Sequence, residues 1–379
     1  MRTPRPDQLW PAVAGAALIL CALLLPFLAT PAKADIPIAM AGALTGPVAP
    51  VGEQVRQGTE AAVADLNASG GVLGEKLRLI IADDAGTPTQ AVAVANRLAT
   101  ERVRMLVGHV QSSTLIPASA VYADEGIIAI TPDATAPEVT EAGQGWVFRT
   151  CGRDDQQGAV AGAWLAREYK GRKVALVHDQ STYGKGLTDA TQAAMKAAGL
   201  EPALYTQLTV GERDFTALVT RLKAAGVDAV FFGGFFTEAG LLVRQMREAG
   251  LQAQFVSADS LANDAFWQIA GKTGEGAMMT FEADVRSNPG AQEVIRKLKA
   301  KTGEEPGAFV LYAYAAVQVW AQAAIKAGTT EPSKVRDAMR QGSYPTIVGN
   351  ISYDAKGDRR ENNYVLYRWS EGRYTQVGK

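Results

Sequence analysis

Residues 105–131, MLVGHVQSSTLIPASAVYADEGIIAIT, decide the fold. An apolar run at 105–108 enters the polar loop His109-Val110-Gln111-Ser112-Ser113-Thr114. A helical stretch follows at 115–124 and a second strand-like run at 127–131. Strand, loop, helix and strand in so short a span make a βαβ unit, and the same rhythm runs outward in both directions. Further strand-like runs lie at 36–43, 77–83, 174–178, 229–233 and 255–257. Helices are expected at 54–67, 89–101, 156–169, 186–198, 215–225 and 238–249. Short apolar runs alternating with amphipathic helices predict parallel sheets covered on both faces. Gly70-Gly71, Ala198-Gly199, Ala225-Gly226 and Ala249-Gly250 stop helices where a left-handed residue is needed. After Phe281 the rhythm changes to helices at 291–301, 309–327 and 333–341. A hairpin then pairs 364–369 with 374–377 around Glu371-Gly372.

Composition narrows the function. Arg2 and Arg5, an apolar run at 12–27 closed by Pro26, and Ala32-Lys33-Ala34 form an export signal, with cleavage expected after Ala34. The run is shorter than the roughly 20 residues that span a bilayer. Bulky Leu20 before Cys21 argues against a lipid anchor there. Of the chain's 38 basic and 39 acidic residues the tag takes three and one, leaving 35 and 38. So balanced a surface speaks against nucleic acid or an anionic membrane as partner. The 345 residues left of 379 suit two domains. Cys151 is then alone, which forbids an internal disulfide and reads as a small buried hydrophobe. Export also confines the protein to work done without ATP.

Ligands of open α/β sheets bind beyond the carboxyl ends of the strands. In the loop at 109–114, Ser112 or Ser113 can cap the following helix, and the same helix start can attract a carboxylate. In Thr131-Pro132-Asp133-Ala134-Thr135-Ala136-Pro137, two prolines stiffen the chain and Thr135 offers a hydroxyl. Asp259, past the run at 255–257, can meet an ammonium group or cap a helix starting near Leu261. Tyr183, Phe235 and Phe236 can wall an apolar pocket or fill a core. His109 and His178 are the only histidines after the tag, and no serine elbow, metal-binding spacing or Walker loop accompanies either. Gly184-Lys185-Gly186 reads as a turn before a helix. No enzymatic activity and no cofactor are expected.

These loops resemble the leucine/isoleucine/valine-binding family of bacterial ABC importers. The matching stretches run in the family's order: GALTGPVAPVGEQ from Gly42, GTEAAVADLNASGGVLGEKL from Gly58, AVAVANRL from Ala91, GHVQSS from Gly108 and EGIIAITPDATAPE from Glu125. LVHDQSTYGKGL from Leu176, GERDFTALVTRLK from Gly211, FFGGFFTEAG from Phe231 and GAFVLYAYAA from Gly307 follow. The resemblance implies a type I periplasmic-binding-protein fold, two Rossmann-like α/β lobes with parallel sheets joined by a three-strand hinge. The first lobe would comprise 35–151 plus 284–361 and the second 152–283 plus 362–379, with crossings near 149–154, 281–285 and 361–364. It also implies that Ser112, Thr135 and the backbone of Asp133 hold a ligand carboxylate, while Asp259 holds its ammonium group and Tyr183 touches it.

Departures from the family bear on the ligand. Asp259 stands where many relatives carry Glu, and Phe235 where several carry Tyr. Val51 and Val110 replace larger residues against the ligand side chain, which implies a roomier pocket. Asp133 replaces a small apolar residue; pointing into the cleft, it would repel a carboxylate or recruit a polar tail, and pointing away it would change nothing. The two cysteines of a disulfide found in relatives fall on Gly86 and Gln111. The resemblance implies a periplasmic, monomeric receptor that passes a neutral aliphatic or aromatic amino acid to membrane permease subunits. The same fold also serves as a sensor for amides or other small molecules.

Overall fold

The computed structural model describes residues 35–361 and 363–377, so the export signal and its cleavage point lie outside the described residues. The chain begins with β1 (Ile36–Gly42), α1 (Ala49–Ala68), β2 (Leu77–Asp83), α2 (Pro88–Thr100), β3 (Met105–Gly108), α3 (Ser112–Glu125), β4 (Ile128–Thr131), α4 (Glu138–Glu141) and β5 (Val147–Arg149). These strands form one parallel sheet in the order β2-β1-β3-β4-β5. The four-residue runs of β3 and β4 are buried throughout, as strands covered on both faces must be.

A second set follows: α5 (Asp154–Glu168), β6 (Val174–His178), α6 (Thr182–Ala197), β7 (Leu204–Gln207), α7 (Thr216–Ala225), β8 (Ala229–Gly233), α8 (Phe236–Glu248), β9 (Gln254–Ser257), α9 (Asp264–Ala270) and β10 (Met278–Glu282). The chain continues through α10 (Pro289–Thr302), α11 (Ala308–Ala327), α12 (Pro332–Gln341) and the small hairpin β11 (Ser343–Thr346) and β12 (Gly349–Ser352). It ends in β13 (Tyr364–Ser370) and β14 (Arg373–Gln376). The second sheet has the order β14-β13-β10-β9-β8-β6-β7, with β13 antiparallel to both β10 and β14. The fold is thus two Rossmann-like α/β lobes with parallel sheets, the second edged by the antiparallel hairpin of β13 and β14.

Helix α11 returns to the first lobe. Its length and apolar composition would suit a membrane span, but it is buried as a core helix against α1. A Cβ on Gly58 of α1 would stand 2.1 Å from the carbonyl oxygen of Val310, so only glycine permits this approach. The chain passes between the sheets after β5, after β10 and before β13, and buried ion pairs join the three passages. Asp358 takes Arg149 Nε at 2.7 Å and Arg153 Nη1 at 2.5 Å; Arg359 Nη1 reaches Glu282 at 2.6 Å and the Thr150 carbonyl at 3.0 Å. Cys151 is buried among them with a free thiol.

Candidate functional site

In the first sheet β1 and β3 are neighbours, and the strand order runs outward from them in opposite directions, which opens a crevice at their carboxyl ends. Val48 and Val51 come to it from the start of α1, Val110 to Ser112 from the loop after β3, and Asp133 to Thr135 from the loop after β4. Thr131 ties the last two loops: its hydroxyl donates to the His109 carbonyl at 3.0 Å and accepts from Ala134 N–H at 2.9 Å. Arg149, buried completely, donates to the carbonyls of Ala134 at 2.6 Å and Ala136 at 2.7 Å. The sequence reading missed this support, because an arginine at a lobe crossing carries no local sign that it holds a loop 15 residues upstream. Ser112 is the first residue of α3 and makes no cap; its hydroxyl accepts from Ala136 N–H at 3.2 Å. The Thr135 hydroxyl is buried at the cavity wall without a hydrogen bond of full geometry.

The second lobe supplies the opposing wall. Ser181 caps α6, accepting from Gly184 N–H at 2.9 Å, and so places Tyr183 in the first helical turn. Gly184-Lys185-Gly186, expected as a turn before the helix, lies inside α6. A Cβ on Gly184 would stand 2.2 Å from the Asp179 carboxylate, so the glycine serves close packing. Phe235 sits just before α8, its ring centroid 5.4 Å from that of Tyr183. Asp259 opens a 3-10 turn after β9 and accepts from the Tyr183 hydroxyl at 2.6 Å. The helix expected near Leu261 begins instead at Asp264, and Asn263 caps it by accepting from Ala265 N–H at 2.9 Å. Asp259 is therefore free of helix capping.

All eight residues singled out from the sequence, Val51, Val110, Ser112, Asp133, Thr135, Tyr183, Phe235 and Asp259, line one cavity between the lobes. Val48, Gln111, Ala134, Ser260 and Phe309 line it too and were not foreseen. Phe309 opens a long apolar helix, where an aromatic residue looks like ordinary core. His109 and His178 do not line it. His109 braces Asp84 at 2.5 Å and the Tyr122 hydroxyl at 2.6 Å, and His178 Nδ1 accepts from Gln180 N–H at 3.1 Å.

The polar end of the cavity is acidic. Asp133 and Asp259 line it, Asp154 of α5 stands within electrostatic reach of both, and none of the lining residues is Lys, Arg or His. Burial, then the charges of Asp259 and Asp154, holds the Asp133 carboxyl well above the ordinary carboxylate range. Burial, then Asp259, likewise raises Asp154. Burial raises Asp259 against the lowering pull of the Tyr183 hydroxyl. Such a group of acids favours a positive charge or strong donors between them.

The sequence profile of the periplasmic binding protein family matches residues 35–373. The chain belongs to that family. It is 45% identical over 342 residues to the Leu/Ile/Val-binding protein homolog 1 of Brucella melitensis, a match covering 90% of this chain and 92% of the relative. It is 42% identical over 334 residues to the leucine-, isoleucine-, valine-, threonine- and alanine-binding protein of Pseudomonas aeruginosa, covering 88% and 90%. Among solved structures, the branched-chain amino acid transporter substrate-binding protein LivJ of Streptococcus pneumoniae, in complex with isoleucine, superposes with a TM-score of 0.83 at 25% identity. That match covers 91% of this chain and 99% of LivJ.

Proposed function

We propose that this protein is the periplasmic receptor of an ABC importer, which closes on a neutral amino acid and delivers it to membrane permease subunits. One observation carries the reading: hydroxyls of Ser112 and Thr135 on one lobe face Asp259 and Tyr183 on the other across a single cavity. An α-amino acid is solvated strongly at both poles, and only charge-assisted hydrogen bonds replace that solvation. With the carboxylate on Ser112 and Thr135 and the ammonium group on Asp259, the ligand itself bridges the lobes. Its affinity then differs between open and closed states by the second-lobe contacts, which is what drives closure. The lobes are taken as 35–151 plus 284–361 and 152–283 plus 362–379, hinged at the three ion-paired passages. The names of the relatives support the amino-acid reading and the family supports export; cleavage after Ala34, a monomeric state and the lack of catalysis are part of the proposal.

The test is a thermal-shift screen of protein freed of co-purified ligand, against amino acids, amides and aromatic acids. A true ligand at about 100 times its dissociation constant raises stability by about 2.7 kcal/mol. A response to amides alone would move the assignment to a sensor, and no response to any amino acid would refute it.

A further inference from the structure

The Asp133 carboxylate has no place in the binding scheme for a plain aliphatic amino acid. Its backbone is fixed by Thr131, and the residue lines the cavity together with Asp259. No hydrogen-bond donor among the described residues reaches its side-chain oxygens. The guanidinium of Arg149 is bonded to Asp358 and to the carbonyls of Ala134 and Ala136 and not to Asp133. The Thr135 hydroxyl, 1% exposed, lies at the cavity wall beside the Asp154 carboxylate. Metal binding does not account for the acids, because among the described residues no group of three or more His, Cys, Asp or Glu is placed to hold a metal ion. Val48, Val51, Val110, Phe235 and Phe309 give the wall its apolar part, and Gln111, Ser112, Ser260 and Tyr183 add neutral polar groups.

We infer that the ligand carries a side-chain N–H or O–H donor that Asp133 accepts. The specificity of the cavity is therefore for an amino acid with a hydroxyl, amide or amino tail and not for a branched hydrocarbon one. This rests on the amino-acid reading above and narrows it. A hydrocarbon side chain closing over Asp133 removes water from a carboxylate and returns nothing, and a buried acceptor left unmade is costly. A donor on the ligand favours the ionised form of Asp133, offsetting the burial and acid neighbours that hold its proton, and restores the lost hydration with a charge-assisted bond. Sites built to bond a polar substrate group reject the analogue lacking it far more strongly than apolar pockets reject a missing methylene. The acid thus selects by what it excludes as much as by what it binds.

Isosteric pairs test this without changing ligand shape. Calorimetric titration of ligand-free protein with valine against threonine, and leucine against asparagine, reads the donor alone, and ornithine reads an added charge. Threonine and asparagine are expected to bind roughly ten- to a hundred-fold more tightly than their isosteres, the worth of a hydrogen bond to a charged group. In Asp133→Ala that advantage is expected to vanish. Asp133→Asn, which keeps the shape, should reduce it. Ornithine binding more tightly than asparagine also supports the inference and assigns a cationic tail. Valine and leucine binding as well as or better than their isosteres would overturn it while leaving the amino-acid receptor standing. Binding of no amino acid would overturn both.

Discussion

Asp259→Asn separates the two consequences of placing an acid at the second-lobe pole. The substitution keeps the shape and an oxygen that can accept from Tyr183, now 2.6 Å away, but removes the charge. In the empty protein that charge is a burden: burial holds the carboxyl above its ordinary range, with Glu282 adding repulsion. Relieving it should leave the ligand-free variant about as stable as wild type, because the gain is offset where an amide nitrogen replaces an oxygen that accepts from Gln157 or the Ser260 N–H. In the complex the effect is a loss, because the ligand's ammonium group loses its only second-lobe counter-charge in the cavity lining. Truncating one member of a buried charge pair costs about 2–5 kcal/mol of binding, roughly thirty- to several thousand-fold in affinity. Calorimetry gives the affinity and thermal unfolding without ligand gives the stability. A variant that binds as tightly as wild type, or that is destabilised and weakened together, would refute the assignment of Asp259 to the ammonium group.

Three further outcomes follow from particular contacts. For Asp133 the folded state holds its proton to higher pH than the unfolded chain, whose carboxyl titrates near 4. Folded protein then binds more protons above that pH, so stability falls as pH rises through the window between the two values. The melting advantage of ligand-free Asp133→Asn over wild type should therefore grow from pH 5 to pH 8; a constant difference would contradict the half-buried setting among other acids. Gly86→Cys with Gln111→Cys, the positions on which the relatives' bridging cysteines fall, should restore a disulfide, the Gln111 side chain already reaching the space beside Gly86. Loop closure contributes about 3 kcal/mol, offset by about 1–2 kcal/mol for a side chain at a φ of +66°, and the melting temperatures of oxidised and reduced protein check the balance. Arg149→Met should cost about 3–5 kcal/mol by leaving Asp358 short of a buried partner. It should also weaken ligand binding by freeing Ala134 and Ala136, so a stability loss with unaltered affinity would disprove its hold on the loop.

The alternating architecture was legible because doubly covered strands are short continuous apolar runs: β2, β3, β6 and β8 coincide with the sequence reading. What escaped it had weak local signals. β5 is three residues long, β7 is a half-buried sheet edge, and β10 was legible only as a crossing. Helix α1 begins five residues earlier than expected, at Ala49, with Pro50 and Gly52 inside it. Strand ends and family resemblance together pointed to loops from which eight candidate residues line one cavity, while Ser113 and Phe236, named beside them, do not. The direction of Asp133 could not be read, because it depends on how the loop after β4 is bonded to Thr131 and Arg149.

A crystal structure of the ligand-bound protein tests the clamp most directly. The account predicts one amino acid between the lobes, its ammonium nitrogen within about 3 Å of the Asp259 carboxylate and its carboxylate on Ser112 and Thr135. An amino acid held in the reverse orientation, or by the first lobe alone with Asp259 untouched, would contradict it.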